Sequence, residues 1–256
     1  MNPSVRLAGV GLAAALALAG CTSTTTAPAP AGTVAGTAAS SAAAPASATY
    51  QPGTDVPKEI VTGLLVQSGA RTKTFAATTT AATAISGQTM NSTIDMVGDM
   101  SDTAKPKAKM TTSYGGQSIE IIMVGDTYYM KLPGQAKYTK TTKSDLEKQG
   151  GASSTATQGN LIEQFKQLND AIKSAKFVGS EKVGDWDTKH FSATLDGAKM
   201  SMSADVPLDL YFDNDGMLRK MSMDIKDTSV SVKTDMVFTQ YNQPVTIAEP
   251  SPSEVQ

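Results

Sequence analysis

Between Gln88 and Met100 the side chains alternate with a period of two. Met90, Ser92, Ile94, Met96, Gly98 and Met100 fall on one side, and Thr89, Asn91, Thr93, Asp95 and Asp99 on the other. Successive side chains of a strand point to opposite faces, whereas a helix would scatter these residues around its axis. The alternation recurs at Arg219–Ile225, where Met221, Met223 and Ile225 oppose Lys220, Ser222 and Asp224. It recurs again where Val230, Val232, Met236 and Phe238 oppose Ser229, Ser231, Lys233 and Asp235. One apolar and one polar face means antiparallel strands with a single wet side. Turn signals separate them at Gly115-Gly116, Gly125-Asp126, Pro133-Gly134, Gly184-Asp185 and Asp213-Asn214-Asp215-Gly216. About eleven strands are predicted, over 73–84, 88–101, 106–114, 117–124, 127–132, 137–142, 177–183, 187–195, 206–213, 217–226 and 228–239.

Two stretches carry helical spacing instead. Val56, Ile60, Val61, Leu64 and Leu65 predict a helix from near Pro57, capped by Thr54 or Asp55 and stopped at Gly69. Asn160 and Glu163 have the spacing of a capping box, and Leu161, Ile162, Phe165, Leu168 and Ile172 form a stripe, which predicts a helix over Asn160–Ala175. Residues 149–159, rich in Gln, Gly, Ala, Ser and Thr, read as a loop before it. A sheet of so many strands must curl. With one apolar face and two helices to cover it, the expected fold is α+β: a curved antiparallel half-barrel with helices packed on the concave face. A closed sandwich is the alternative.

The fold starts late in the chain. Residues 7–54 carry no charge, a composition unlike that of a folded surface. Leu7–Ala19 is a 13-residue apolar run behind a single Arg6, too short for a membrane span and suited to an export signal. It ends in Leu18-Ala19-Gly20-Cys21, which resembles a bacterial lipobox and makes Cys21 the expected lipidation site. Thr22–Gly53 holds 11 Ala, 7 Thr, 4 Ser and 4 Pro with Tyr50 as its one large side chain, the composition of a tether rather than a core. Its root-mean-square reach as a flexible chain would be about 30 Å. The expected organisation is signal peptide 1–20, lipidated Cys and linker 21–53, a half-barrel domain 54–248 and a C-terminal tail 249–256.

The kind of apolar residue points to what the sheet encloses. Met90, Met96, Met110, Met123, Met130, Met221 and Met223 fall on predicted strands, mostly on the inward face. Met is flexible and polarisable and adapts to varied apolar partners. The first long strand offers only Phe75 among large side chains, with Ala and Thr elsewhere. Small residues leave volume that neighbours or a ligand must fill. Candidate cavity residues are therefore Met90, Ile94, Met96, Met110, Met123, Met130, Phe165, Leu168, Met221 and Met223. A dry core built of Met and Ala is the competing reading.

Three stretches add a family resemblance. Gly115-Gly116-Gln117 with Ile119–Met123, followed by Gly125–Gly134, resembles the middle hairpin of actinobacterial envelope lipoproteins. Leu210–Met221 resembles their strand–turn–strand. Tyr241–Val255, with Gln243-Pro244-Val245 and the Pro250/Pro252 pair, resembles their C-terminal end. The chain is thus similar, over roughly residues 55–250, to the mycobacterial carriers of triacylglycerides and lipoglycans, and more distantly to lipoprotein-localisation carriers. The resemblance implies no catalysis and no cofactor, but binding of acylated lipids or glycolipids in an apolar cavity and their movement across the envelope. The implied partners are a lipid or glycolipid ligand, the membrane through Cys21 on its extracytoplasmic face, and a lipid exporter; the implied state is a monomer. An anchored interaction or sensor module with a dry core is the alternative function.

Other chemistries are disfavoured by count or spacing. One Cys and one His argue against a disulfide framework, a zinc cluster, or a Ser-His or Cys-His enzyme that needs both groups at a site. A net charge of −2 and 5% aromatic residues give no reason to expect nucleic acid. Asp213–Gly216 fails the calcium-loop spacing and reads as a tight turn. His190 alternates with Thr188, Ser192 and Thr194 and is expected on the wet face, with Trp186 as a hairpin anchor. Lys131, Lys137, Lys140, Lys143 and Lys148 form a basic stretch, read as solvated strand edge with anionic head groups as the alternative. The pair Asp185/Asp187 sits at a turn and does not read as glycosidase carboxylates.

Overall fold

A computed structural model describes residues 49–85, 88–148, 168–200, 202–226 and 230–256. Cys21 and Phe165 lie outside them, as do 149–159 and the expected start of the second helix at Asn160. The elements in chain order are β1 (Asp55–Val56), α1 (Lys58–Arg71), β2 (Thr74–Ile85), β3 (Gln88–Asp99), β4 (Lys107–Tyr114), β5 (Gln117–Val124), β6 (Thr127–Lys131), β7 (Thr139–Thr142) and α2 (Lys143–Lys148). Then follow β8 (Ile172–Val183), β9 (Trp186–Leu195), β10 (Val206–Asp213), β11 (Leu218–Lys226), β12 (Val230–Tyr241) and a 3-10 turn at Pro252–Glu254. All strand pairs are antiparallel and form one 12-stranded sheet, in the order β1-β8-β9-β10-β11-β12-β2-β3-β4-β5-β6-β7. The sheet is a curved half-barrel with unjoined ends, and helix packs on its concave side.

The sheet consists of two meanders. β2–β7 and β8–β12 each follow chain order, and β12 joins them by pairing with β2 along nearly its whole length, Val230↔Ile85 to Tyr241↔Phe75. Register shifts at Ile172/Ser174, Phe177/Gly179, Tyr211/Phe212 and Phe238/Gln240 fall on the β8–β12 half. Bulges of this kind bend a strand and increase its twist, which helps the sheet to curl. Across β2 and β3, Phe75 faces Gly98, and a Cβ on Gly98 would overlap the Phe75 ring. The ring takes the space that the missing side chain leaves. Gly98→Val should therefore cost about 1–3 kcal/mol by overpacking, while Gly98→Val with Phe75→Leu should recover part of it. Urea unfolding of the two variants checks this.

Three local expectations need correction. Thr54 and Asp55 do not cap α1. Asp55 and Val56 are extended and pair with Lys176 and Ala175, Val56 is buried, and the helix follows Pro57 with no side-chain cap. Strand pairing satisfies that backbone better than a lone cap would. Nor does Gly69 end the helix, which continues to Arg71. The last turn is held by neighbours instead: the Thr72 hydroxyl donates to the Ser68 carbonyl at 2.8 Å and the Asn242 amide donates to the Arg71 carbonyl at 3.1 Å. Third, the Asn160–Ala175 helix does not reach Ala175. Residues 168–171 are helical, and β8 begins at Ile172, five positions before the strand expected at 177. Ile172 pairs with Leu195 and Ala175 with Ala193, all four buried, so tertiary pairing overrides the helical stripe.

Both faces of the sheet are covered in part. The concave side carries the main core with Val61, Leu64 and Leu65 of α1 and Leu168 and Ala171 of the 168–171 turn. A second cluster on the opposite face joins Ile122, Tyr129 and Tyr138 to Ile247, with Val245 and Val255 packed against it. The C-terminal segment thus straps the outer face of β5–β7. Val255 bridges Tyr138 in parallel, the Gln256 amide donates to the Tyr138 carbonyl at 2.9 Å, and the Tyr129 hydroxyl donates to Glu249 at 2.8 Å.

Candidate functional site

The register aligns the inward side chains into rows that cross the strands. One row runs Phe238, Ala77, Met96, Met110, Ile121 and Met130 through direct pairing partners on β12, β2, β3, β4, β5 and β6. A neighbouring row runs Phe177, Phe191, Leu210, Met221, Met236 and Thr79 from β8 to β2. Met96, Met110, Met123, Leu168, Met221 and Met223 are buried in one continuous apolar cluster, and Ile94 and Met130 pack against it partly buried. Eight of the ten sequence candidates therefore meet on the concave face. Met90 is half-buried and outside that cluster; its sulfur accepts the Tyr114 hydroxyl at 3.0 Å. The result is a Met-rich apolar surface facing the helices.

The other end of this interior is aromatic. Phe177, Phe191 and Phe212 stack edge-on or tilted at centroid distances of 5.4–6.1 Å, and Tyr50 lies 5.6 Å from Phe177 and 5.9 Å from Phe191. Tyr50 is thus packed against the core. Residues 187–195 are predicted as a strand with His190 outward, which already turns Phe191 inward. That Phe191 meets Tyr50 is a non-local contact with no periodic signal.

One rim is closed by a polar network. Asp213 accepts from the backbone amides of Asp215 at 3.0 Å and Met217 at 2.8 Å and from Arg219 Nε at 2.7 Å. The Arg219 guanidinium lies 4.2 Å over the Trp186 ring and 5.1 Å from Tyr241. Tyr241 donates to the Leu218 carbonyl, and the Ser68 hydroxyl accepts the Leu218 amide at 3.0 Å. Burial drives the Tyr241 hydroxyl far above its usual pKa, so it stays a donor. The tight-turn reading of Asp213–Gly216 is what the geometry shows, and Trp186 anchors it through Arg219.

His190 is less exposed than its position on the wet face suggests. Its side chain is 13% exposed, with Nδ1 2.7 Å from Glu181 and Nε2 3.0 Å from Asp209. Its ring stacks on Tyr211 at 4.3 Å. Lys220 reaches both the Tyr211 ring and Asp235, at 5.3 and 3.0 Å. The His190 hydrogen bond, helped by Ser192 and Lys220 and opposed by burial, holds the Asp209 carboxyl below its ordinary pKa. Burial raises that of Asp235, but the Ser222 hydroxyl and Lys220 outweigh it and leave it low. A folded-state pKa below the unfolded value of about 3.9 stabilises the fold above that pH, and the contribution is lost as pH falls through the folded value. Asp209→Asn should therefore flatten the fall in urea midpoint below about pH 4. An unchanged slope would show that the His190 contact contributes nothing.

Two lysines of the basic stretch lie over aromatic rings. Lys131 lies 5.5 Å over Tyr138 and Lys140 5.8 Å over Tyr129, and Lys109 pairs with Glu120 at 2.9 Å. Glu120 also accepts the Tyr138 hydroxyl at 2.6 Å, and burial together with that carboxylate pushes Tyr138 up to about 12. Among the described residues no His, Cys, Asp and Glu group suits a metal ion, and no helix is long and apolar enough to cross a membrane.

A single curved antiparallel sheet, open at its ends, with helix against a concave apolar face, defines an antiparallel half-barrel fold. Two solved structures share it. LprF from Mycobacterium bovis aligns with a TM-score of 0.55 at 14% identity, over 78% of this chain and 100% of that one. The Mycobacterium tuberculosis lipoprotein LppX aligns with a TM-score of 0.50 at 16% identity, over 72% of this chain and 94% of that one. No protein-family model matches the chain, and no curated protein matches it by sequence. At these identities the likeness is one of fold.

Proposed function

We propose that this protein is an envelope lipoprotein of the actinobacterial lipid-carrier kind, held by acyl chains on Cys21 to the extracytoplasmic face of the cell membrane. It binds the acyl chains of a lipid or glycolipid against the concave face and carries that ligand across the envelope, loaded by a lipid exporter, as a monomer and without catalysis. The single observation that carries the reading is the row Met96, Met110, Ile121 and Met130, which pair directly across four strands on the face turned toward the helices. A surface of Met and β-branched side chains adapts to flexible chains of varied length. The fold shared with LprF and with the lipoprotein LppX supports the same class.

Native mass spectrometry of the full chain carrying Cys21→Ala tests it. Co-purified lipid that organic extraction removes is the expected result. A ligand-free mass, with no uptake of a fluorescent fatty acid, would favour the dry-core interaction module.

A further inference from the structure

A cleft of about 530 Å³ lies on the side of the sheet away from the concave interior. That volume is within the range of small-molecule sites. It sits between residues 116–118, where β4 turns into β5, and the 132–135 loop that follows β6. The cross-strand partners Glu120 and Lys131 line it. The next pair along the same two strands, Ile121 and Met130, belongs to the concave core, so by strand alternation Glu120 and Lys131 point the other way. Tyr138 of the outer cluster meets Glu120 on that side, donating its hydroxyl at 2.6 Å. The loop wall is fixed in advance: the Leu132 amide donates to Gln135 Oε1 at 3.2 Å, and the Gln135 amide donates back to the Leu132 carbonyl at 3.1 Å. A wall held in this way lowers the ordering cost of binding.

The lining groups mix donors with acceptors. Lys131 and the Gln135 side-chain NH2 donate, Glu120 accepts, and Gln117 and Ser118 do both. Glu120 takes Tyr138 and Lys109 on the same oxygen, Oε1, which leaves Oε2 as an acceptor. The two lining charges are opposite and face each other, so a ligand of net charge gains no field from them. β5 and β6 are each paired on both sides, so no strand edge is open to an extended peptide. A neutral polyol matches all of this. Each hydroxyl both donates and accepts, and neighbouring hydroxyls can engage a carboxylate and an ammonium that stand side by side. Leu132, 43% exposed, and Pro133 offer an apolar edge to the C–H face of a sugar ring. We propose that this cleft binds a neutral saccharide chain that carries no acyl group. It is a second site, on the opposite face of the sheet from the carrier interior, and it works whether or not that interior holds lipid.

The test is an NMR titration of the 15N-labelled full chain carrying Cys21→Ala. The probes are neutral trisaccharides of glucose, galactose, mannose and arabinose, with trigalacturonate and trialanine as the charged and peptide comparisons. At least one neutral trisaccharide should shift the amides of Gly116, Ser118 and Gln135 with a Kd of about 1 mM, the scale of a few neutral hydrogen bonds in an open site. Trigalacturonate should bind no tighter, and trialanine should leave these amides in place. Gln117→Ala, at an exposed position, should weaken the saccharide about 3–10-fold, the scale of one neutral hydrogen bond, with an unchanged melting temperature. The proposal is overturned if no neutral trisaccharide moves these amides at about ten times that Kd, if trigalacturonate or trialanine binds more tightly, or if Gln117→Ala leaves the affinity as it was. A glycolipid that moves these amides where its deacylated glycan does not would also overturn it, by assigning the cleft to a lipid headgroup. None of these outcomes alters the expected lipid uptake, so the carrier reading stands or falls separately.

Discussion

Asp213→Ala is expected to lower the stability of the protein by about 3–5 kcal/mol, the cost of removing one partner from a buried ion pair. The Asp213 side chain is 7% exposed and that of Arg219 12%, so little solvent is at hand to replace the lost carboxylate. The substitution also strips two backbone amides, of Asp215 and Met217, of their acceptor. Arg219 would then sit unpaired between Trp186 and Tyr241. Asp213→Asn keeps an oxygen for the amides and loses the charge, so its loss should be intermediate. Urea unfolding followed by Trp186 fluorescence measures both, since Trp186 is the single Trp and reports the guanidinium stack directly. A loss below about 1 kcal/mol for Asp213→Ala would place this network among surface ion pairs.

Met96→Asp should have a comparable effect on stability and a larger one on binding. Met96 is buried in the main cluster between Ala77 and Met110. Truncating such a side chain alone costs about 2–5 kcal/mol, and the carboxyl adds a desolvation penalty. Burial would raise the folded-state pKa of that carboxyl above its unfolded value. Its neutral form is then tolerated at low pH, and stability is lost as pH rises, so the variant should be weaker at pH 7 than at pH 4. Uptake of a fluorescent fatty acid should fall at least tenfold, and Met96→Leu, close in volume, should retain it. Full uptake in Met96→Asp would remove the concave face from the binding site.

Much of the secondary structure is legible along the chain because its causes are local. The parity of Gln88–Met100 puts Ser92, Met96 and Met100 inward, and all three are buried. The hairpins at Gly115-Gly116, Gly125-Asp126 and Gly184-Asp185 place glycine at positive φ, where other residues are strained, so their positions are written in composition. The candidate cavity residues on the strands follow from the same parity, and the run of Ala and Thr on β2 already marks space to be filled.

The errors share one cause. Ile172 and Ala175 fit a helical stripe as well as a strand, and Leu195 and Ala193 across the pairing decide for the strand. Asp55 looks like a cap until Lys176 lies opposite it. His190 reads as solvated until Glu181, Asp209 and Tyr211 close around it from neighbouring strands and its own pairing partner.

Sequence alone determined most of the strand set, β1 and the start of β8 excepted, and most of the inward-facing methionines, since side-chain alternation and turn chemistry act within a few residues. Only the tertiary structure decided that β12 closes onto β2, joining positions as distant as Val230 and Ile85 into one sheet. It also decided that the C-terminal strap covers Ile122 and Tyr129, and that hydroxyls from β2, β3 and β4 share one end of the interior. Such pairings are selected by the burial and backbone hydrogen bonding of segments far apart in the chain, and no periodicity within either segment records its partner.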